Sequence, residues 1–246
     1  MASSSSSPPS RPVFFFDIDN CLYPRSYKVH ELMTDLIDKY FMNHLSLSQS
    51  DAYKLHMQYY KSYGLALEGL VRHHKIDPLE YNSLVDDALP LENVIKPDAH
   101  LRTLLCDLDT STIKPWLFTN AYVNHGRRVV KLLGVSDCFE GITFCDYDAE
   151  TLICKPHDAM FEKAHREAGV EEPADCYFVD DSYINCRAAQ ARGWNVAHLL
   201  APGDEVPEVP ACRYQIRSLD QLREIWPKLF RSTQHRNGEV TEGAKI

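Results

Sequence analysis

Acidic side chains occur in two short clusters, and each cluster comes at the end of an apolar run. Asp17 and Asp19 follow one valine and three phenylalanines, and Asp180 and Asp181 follow a run of similar character. Short apolar runs of this kind are typical of strands in a parallel sheet, whose carboxyl ends meet at one edge. Four carboxylates at one edge repel one another, and oxygen ligands are those that Mg²⁺ prefers. The sequence therefore predicts a magnesium site, with Asp17, Asp19, Asp180 and Asp181 as its expected ligands.

Groups suited to binding phosphate occur at two further boundaries of the predicted elements. Thr119 and Asn120 follow a third apolar run, and Lys155 lies just before a helical pattern. A hydroxyl, an ammonium group and the free N–H groups at the start of a helix together bind a dianionic phosphate. Metal, cation, amide donors and a carboxylate nucleophile are the parts that phosphoryl transfer requires. An Asp-x-Asp pair alone is usually a turn, so it is the order of all the motifs that predicts this chemistry.

The elements that must position these groups alternate along the chain. Apolar runs predict strands at 13–16, 116–118, 142–145, 176–179 and 196–200, with helical patterns between the later ones. This alternation indicates a doubly wound α/β core with a parallel sheet. Between residues 27 and 89 only helical patterns occur, so we expect an all-helical insert after the first strand. The expected organisation is a disordered tail over 1–12, the α/β core over 13–24 and 95–230, the helical insert over 25–94, and a polar tail over 231–246.

Composition limits the classes of protein to which the chain can belong. Its 246 residues are 44% hydrophobic, enough for a core domain with a smaller insert. The formal net charge of −9 argues against a nucleic acid or an anionic membrane as a partner. No apolar run of about 18 residues occurs, and residues 1–12 lack the apolar segment of a signal peptide. We therefore expect a cytoplasmic protein, or alternatively a nuclear one, whose eight cysteines are reduced. The sequence carries no signal for an oligomeric state.

The four motifs in this order resemble those of the haloacid dehalogenase (HAD) superfamily over about residues 13–200. The resemblance implies a HAD-like, Rossmann-like core whose helical insert is a cap that closes over a small substrate. It further implies that Asp17 attacks phosphorus and becomes phosphorylated. Asp19 then protonates the leaving oxygen and afterwards deprotonates the attacking water. The carboxylate at position 19 argues against a dehalogenase, which does not need one there.

The same resemblance assigns ligands. Those implied for Mg²⁺ are the side chains of Asp17 and Asp181, the backbone carbonyl of Asp19 and, through water, Asp180. Those implied for phosphate are Thr119, Asn120 and Lys155. The roles of the two neighbouring aspartates can be exchanged. One position departs from the family pattern, because Cys21 stands where Thr or Val is common. An acidic site is expected to raise the pKa of the Cys21 thiol and keep it unreactive.

Four longer segments are similar to fungal pyrimidine 5′-nucleotidases, namely residues 14–23, 59–66, 117–122 and 178–182. The similarity implies hydrolysis of UMP or CMP, or of a related nucleoside monophosphate, to nucleoside and phosphate. Within the cap, Tyr63 beside Gly64 at a helix end is the favoured contact with substrate. We expect Tyr59 and Tyr60 to pack cap helices together. Arg25 either reaches the substrate or is a solvated surface residue.

Other activities stay open from the sequence. A sugar phosphomutase uses the same motifs and a similar cap, and so does a phosphatase for another small phosphorylated metabolite. A binding protein that has lost catalysis usually lacks a motif carboxylate or the lysine. Here all of these groups are present: Asp17, Asp19, Lys155 and Asp181. Release of free phosphate from UMP without isomerisation of a hexose phosphate separates a phosphatase from a mutase.

Overall fold

Six parallel strands form one sheet in residues 11–231, the part of the chain that the computed structural model describes. They are β1 (Val13–Phe16), β2 (Lys114–Phe118), β3 (Gly141–Thr143), β4 (Cys176–Asp180), β5 (Asn195–Leu199) and β6 (Tyr214–Ile216). Their order across the sheet is β3-β2-β1-β4-β5-β6, and every neighbouring pair is parallel. An order that reverses beside the first strand confirms the predicted doubly wound α/β core.

Ten α-helices occur within the same described residues. They are α1 (Val29–Leu45), α2 (Gln49–Tyr63), α3 (Ala66–His73), α4 (Pro78–Leu84), α5 (Leu91–Val94), α6 (Ala99–Cys106), α7 (Val123–Leu133), α8 (Asp158–Ala168), α9 (Tyr183–Ala191) and α10 (Leu222–Ile225). Helices α1 to α4 follow one another between β1 and β2, and no strand lies among them. A helical segment therefore follows the first strand, as the sequence predicts, while its limits at 25 and 94 stay predictions.

Strand β1 is buried on both faces, which is why its sequence is continuously apolar. Successive side chains of a strand point to opposite faces, so Phe14 and Phe16 belong to one hydrophobic cluster and Phe15 to another. Phe15 stacks on Trp194, with ring centroids 4.8 Å apart. Burying a side chain of this size contributes about 1.5–3 kcal/mol. These contacts hold β1 in the centre of the sheet. They therefore fix the position of Asp17, the residue that follows the strand.

The helical insert has a hydrophobic cluster of its own. Phe41 from α1, Tyr59 from α2 and Leu67 from α3 are buried in it. Cys154 belongs to the same cluster, although it lies in the loop between β3 and α8. The insert therefore packs against the loop that carries Lys155, and this contact brings the cap over the carboxyl edge of the sheet.

The ends of some elements differ from the sequence prediction. The predicted strand over 142–145 begins and ends earlier, as β3, and β6 and α5 were not predicted. Residues 1–10 and 232–246 of the two predicted tails lie outside the described residues. Arg11 is described, and its guanidinium lies 2.7 Å from the carboxylate of Glu140. Among the helices of residues 11–231, none combines the length and the hydrophobicity needed to cross a bilayer.

Candidate active site

Three of the predicted motifs come together where β1, β2 and β4 end. Asp17 follows β1, Thr119 follows β2, and Asp180 is the last residue of β4. Because β1 lies between β2 and β4, the three residues lie side by side at the carboxyl edge. The N–H of Asp17 donates to the carbonyl of Val179, and that of Thr119 to the carbonyl of Thr143, each at 3.0 Å. The sheet itself therefore fixes the backbone from which these side chains project.

The ammonium group of Lys155 lies at the centre of this edge. Its Nζ donates hydrogen bonds to Asp17 Oδ1, to Asp180 Oδ2 and to the carbonyl of Phe118, each at 2.7 Å. The side chain is only 1% exposed, so all three of its protons find acceptors inside the protein. Burial disfavours the ammonium ion, but the attraction of Asp17 and Asp180 outweighs burial and raises the pKa of Lys155. Lys155 is therefore a fixed positive charge.

Carboxylates outnumber this ammonium group. Oxygen atoms of Asp17, Asp180 and Asp181 lie within 4.8 Å of one another. Burial is the largest cause that raises the pKa of Asp17 well above its ordinary value; Lys155 opposes it, and the neighbouring carboxylates add to it. Burial and the charge of Asp180 raise the pKa of Asp181 to about 6. A divalent cation with oxygen ligands would neutralise such crowded carboxylates, so the residues present fit Mg²⁺.

The two neighbouring aspartates are held differently. Asp180 is completely buried, and it accepts hydrogen bonds from the N–H of Ser182 at 2.7 Å and from Asn185 Nδ2 at 3.1 Å. The side chain of Asp181 is 16% exposed, and Arg25 donates to its Oδ2 at 3.0 Å. Within residues 11–231, no hydrogen-bond donor meets the Oδ1 atom of Asp181. Asp181 thus has an oxygen available for direct metal coordination, whereas both oxygens of Asp180 are engaged.

Thr119 and Asn120 differ in what their side chains do. Thr119 is 1% exposed, and its Oγ1 accepts a hydrogen bond from the N–H of Ala121 at 3.0 Å. Asn120 pairs with the backbone of Lys155: its Nδ2 donates to the carbonyl at 2.8 Å, and its Oδ1 accepts from the N–H at 2.7 Å. The Asn120 side chain therefore holds the loop between β3 and α8 that carries Lys155, called here the lysine loop. A phosphate contact from this residue would come from its backbone N–H.

Asp19 has two partners that sequence reasoning missed. Its Oδ1 accepts hydrogen bonds from the Tyr23 hydroxyl at 2.6 Å and from His125 Nε2 at 2.7 Å. Burial raises the pKa of Asp19, but the charge and hydrogen bond of His125 outweigh burial, and the pKa lies below its ordinary value. The available signal was that His125 lies in the first turn of α7, the helix that begins just after Thr119.

A cavity of about 410 Å³ lies between these groups and the cap. The sheet edge contributes Asp17, Asp19, Thr119 and Lys155 to its wall. The cap contributes mostly apolar and aromatic side chains, among them Met33, Ile37, Met57, Tyr60 and Tyr81. A cavity of this size, apolar on one side with convergent polar groups on the other, is typical of a small-molecule site.

Gly64 brings the cap into close contact with the lysine loop. Its φ is +83°, and a Cβ at this position would lie 2.6 Å from the carbonyl oxygen of Lys155 and 2.9 Å from Pro156. Only glycine combines this backbone conformation with this close approach. The end of α2 is therefore joined directly to the segment that positions the ammonium group.

Arg25 lies between two cavities. Its guanidinium bridges Asp181 and Asp204, at 3.0 Å from each. It lines the 410 Å³ cavity and also a second cavity of about 550 Å³. Neither Asp17 nor Lys155 lines the second cavity, whereas both line the smaller one. Arg25 is thus near the expected substrate position, although a carboxylate already pairs with it.

The tyrosines of α2 have different surroundings. Tyr63, the favoured substrate contact from the sequence, is not among the residues that line the 410 Å³ cavity. Its hydroxyl lies 2.7 Å from His73 Nε2, within the cap. Tyr59 is buried against Phe41, which agrees with packing between cap helices. Tyr60, expected to pack, instead lines the cavity and is 40% exposed. The helix turns Tyr60 towards the site and Tyr63 away from it.

The haloacid dehalogenase-like hydrolases match this chain over residues 12–193, which is more than half of its length. The chain therefore belongs to this family of hydrolases, as the order of the motifs predicts. Phosphate metabolism protein 8 of Saccharomyces cerevisiae is 44% identical over an alignment of 201 residues, and the alignment covers 78% of this chain and 63% of the yeast protein. The chain thus spans less than two thirds of that relative's length. Membership of this family makes the chain a haloacid dehalogenase-like hydrolase.

Solved structures share the fold. A HAD phosphatase from Thermococcus onnurineus aligns with a TM-score of 0.57 at 18% identity, over 87% of this chain and 96% of that chain. CbbY from Rhodobacter sphaeroides, solved in complex with phosphate, aligns with a TM-score of 0.60 at 15% identity, over 86% and 96% of the two chains. A β-phosphoglucomutase from Clostridium difficile aligns with a TM-score of 0.54 at 21% identity, over 89% of this chain and 96% of that chain. At these identities the likeness establishes the fold alone.

Proposed function

We propose that the protein is a Mg²⁺-dependent phosphomonoesterase that hydrolyses nucleoside 5′-monophosphates, with UMP and CMP preferred, to nucleoside and phosphate. The observation that carries the proposal is the position of Lys155, 2.7 Å from Asp17 and 2.7 Å from Asp180 at the wall of the 410 Å³ cavity. A buried positive charge beside a carboxylate nucleophile attracts a dianionic phosphate towards that carboxylate.

Asp17 is the nucleophile of the proposed reaction. Its carboxylate attacks phosphorus, the bond from phosphorus to the nucleoside oxygen breaks, and that oxygen takes a proton from Asp19. Water then attacks the aspartyl-phosphate, gives a proton to Asp19 and releases phosphate and the free Asp17 carboxylate. Lys155 stays protonated throughout and stabilises the negative charge on the transferring group.

The acidic residues supply the ligands for a metal ion. Mg²⁺ would be held by the side chains of Asp17 and Asp181 and by the backbone carbonyl of Asp19, with Asp180 acting through water. When bound, it supplies positive charge beside the phosphate oxygens. The Oδ1 of Asp181, to which no residue of the described chain donates, supports its direct role. The saturated oxygens of Asp180 support its indirect one.

The nucleotide part of the proposal rests on the cap. Its apolar side chains leave room beyond the phosphate position, and the half-exposed ring of Tyr60 offers a face on which a base stacks. The similarity of residues 59–66 to fungal pyrimidine 5′-nucleotidases supports a pyrimidine base, because this segment includes the cavity-lining part of α2. The yeast relative, named for phosphate metabolism, agrees with release of phosphate.

The test is a panel assay of phosphate release in which nucleoside monophosphates are compared with sugar phosphates. We expect UMP and CMP to have the highest kcat/KM, EDTA to abolish turnover and added Mg²⁺ to restore it. Asp17→Asn should remove turnover, whereas Asp35→Asn, at an exposed position on α1, should retain it. Metal-independent hydrolysis, or full activity of a clean Asp17→Asn preparation, would refute the mechanism. Isomerisation of a hexose phosphate without net phosphate release would identify a mutase instead.

A further inference from the structure

Asp19 is held through one of its two carboxylate oxygens. Oδ1 accepts hydrogen bonds from His125 Nε2 at 2.7 Å and from the Tyr23 hydroxyl at 2.6 Å. No residue in the described part of the chain donates a hydrogen bond to Oδ2. Two donors on one oxygen stabilise negative charge there and make the other oxygen the one that exchanges a proton. The carboxylate therefore has a defined orientation with Oδ2 free.

The ring nitrogen that meets Asp19 carries a proton. An ionised carboxylate only accepts hydrogen bonds, so a contact of 2.7 Å requires Nε2 of His125 to be the donor. This holds for the imidazole and for the imidazolium ion alike. His125 therefore acts on Asp19 as a hydrogen-bond donor whichever of the two forms is present.

The surroundings of His125 keep this donor in a constant position. Its side chain is 0% exposed and lies in the first turn of α7. At the next residue, Gly126, an added Cβ would lie 2.9 Å from Ile142 and 3.0 Å from Ile18. The first turn of α7 is thus packed tightly against the residue that precedes Asp19, and close packing of this kind does not let the two segments shift separately.

We propose that His125 is a positioning residue for proton transfer. It holds the Asp19 carboxylate by Oδ1, so that Oδ2 is the atom that gives its proton to the leaving oxygen as the bond to phosphorus breaks. The same Oδ2 then takes a proton from the water whose oxygen bonds to phosphorus as the aspartyl-phosphate is cleaved. His125 touches neither substrate nor metal and acts through Asp19. This inference rests on the proposed function and deepens it.

The inference predicts that the effect of losing His125 depends on the leaving group. A nucleoside alkoxide needs a proton in order to leave, whereas nitrophenolate leaves without one. The experiment measures the first release of leaving group from UMP and from p-nitrophenyl phosphate, with Mg²⁺-loaded enzyme in excess over substrate. Because only the first chemical step is followed, the later cleavage of the aspartyl-phosphate does not affect the measured rate. We expect His125→Leu to slow release from UMP by about 10²-fold and release from p-nitrophenyl phosphate by less than about threefold.

A conservative variant and a matched control separate positioning from simple damage. His125→Gln keeps an N–H donor near the Nε2 position and should restore most of the rate on UMP. His165→Leu removes a histidine of α8 whose Nε2 accepts a hydrogen bond from Trp194 Nε1. It lies away from the cavity, so the rates of release from both esters should fall little and by equal factors. If His125→Leu does not fold, His125→Asn replaces it, because its shorter amide does not reach Asp19.

The outcomes also separate this inference from the proposed function. An active wild-type enzyme whose His125 variants lose equal factors on both esters would overturn the positioning role alone. A His125→Gln variant as slow on UMP as His125→Leu would also overturn it. A wild-type protein that releases no leaving group from either ester would overturn the proposed function itself.

Discussion

The ammonium nitrogen of Lys155 lies 2.7 Å from a carboxylate oxygen of Asp17, and both side chains are almost entirely buried. Removing one partner of a buried ion pair leaves the other charge unpaired and typically costs about 3–5 kcal/mol. Lys155→Met should therefore lower the free energy of unfolding by about that amount, measured with urea in the presence of EDTA. The control is Lys54→Met, whose ion pair with Asp51 is at 3.6 Å between two largely exposed side chains and should cost about 1 kcal/mol or less. Equal losses in the two variants would contradict the structural role of Lys155.

The contact between Gly64 and the lysine loop makes a second prediction. Gly64→Ala adds a Cβ 2.6 Å from a backbone oxygen of Lys155, at a φ of +83°, so the lysine loop or the cap must move. Gly134→Ala is the matched control, because φ is +73° there but the nearest atom lies at 3.7 Å. Both variants should lose about 1–2 kcal/mol of stability through the positive φ. Only Gly64→Ala should also lose kcat, by at least about tenfold. Similar kcat values for the two variants would show that cap contact does not position Lys155.

The two tyrosines of α2 test the substrate side of the cavity. Tyr60→Ala removes an aromatic ring that lines the cavity, and base stacking on such a ring is worth about 1–3 kcal/mol. We expect KM for UMP to rise about tenfold, while KM for glycerol phosphate, which has no base, stays constant. Tyr63→Ala should change neither value, since Tyr63 contacts His73 inside the cap. If Tyr63→Ala raised KM for UMP more than Tyr60→Ala does, Tyr63 would be the substrate contact.

Asp86 gives the stability of the fold a dependence on pH. The residue is 4% exposed, and burial, which His125 opposes, raises the pKa of its carboxyl from 3.8 to about 6. The neutral carboxyl therefore contributes stability below about pH 4, and this contribution is lost as the pH rises to about 6. A difference of about two pH units corresponds to about 3 kcal/mol. The free energy of unfolding of Asp86→Asn, measured with urea, should equal that of wild type near pH 4 and exceed it by about that amount at pH 8. A difference in the free energy of unfolding between Asp86→Asn and wild type that stays the same at both pH values would exclude this role. Asp87→Asn is the control for the loss of one carboxylate.

The sequence was sufficient for the sheet edge because strong local signals coincide there. A continuous apolar run ending in Asp17 predicts a buried parallel strand and its acidic end together, and the same holds for the run that ends at Asp180. Helix α7 ends at Leu133 because Gly134 adopts the positive φ that terminates a helix, and a glycine at such a position is a signal that the sequence itself carries. Strand β6 escaped prediction because it has only three residues and no apolar run.

Side-chain partners across the fold were harder to predict. His125 is more than a hundred residues from Asp19, and its place in the first turn of the helix after Thr119 was the only sequence signal that it lies near that carboxylate. The rotation of α2 about its own axis determines which of Tyr60 and Tyr63 faces the cavity. That rotation depends on how α2 packs against α3, and the spacing of apolar residues in the sequence does not determine it. Asn120 binds the backbone of Lys155 through a loop whose path only the folded chain defines.

In the proposed reaction, Asp17 carries phosphate during turnover. Rapid acid quenching of the Mg²⁺-loaded enzyme with UMP labelled in its phosphate tests this most directly, with digestion of the protein to find the labelled peptide. Protein-bound label is expected on the peptide that contains Asp17, formed and lost at rates compatible with turnover, and no label is expected on Asp17→Asn. Turnover without any protein-bound phosphate, or label on a peptide that lacks Asp17, would contradict it.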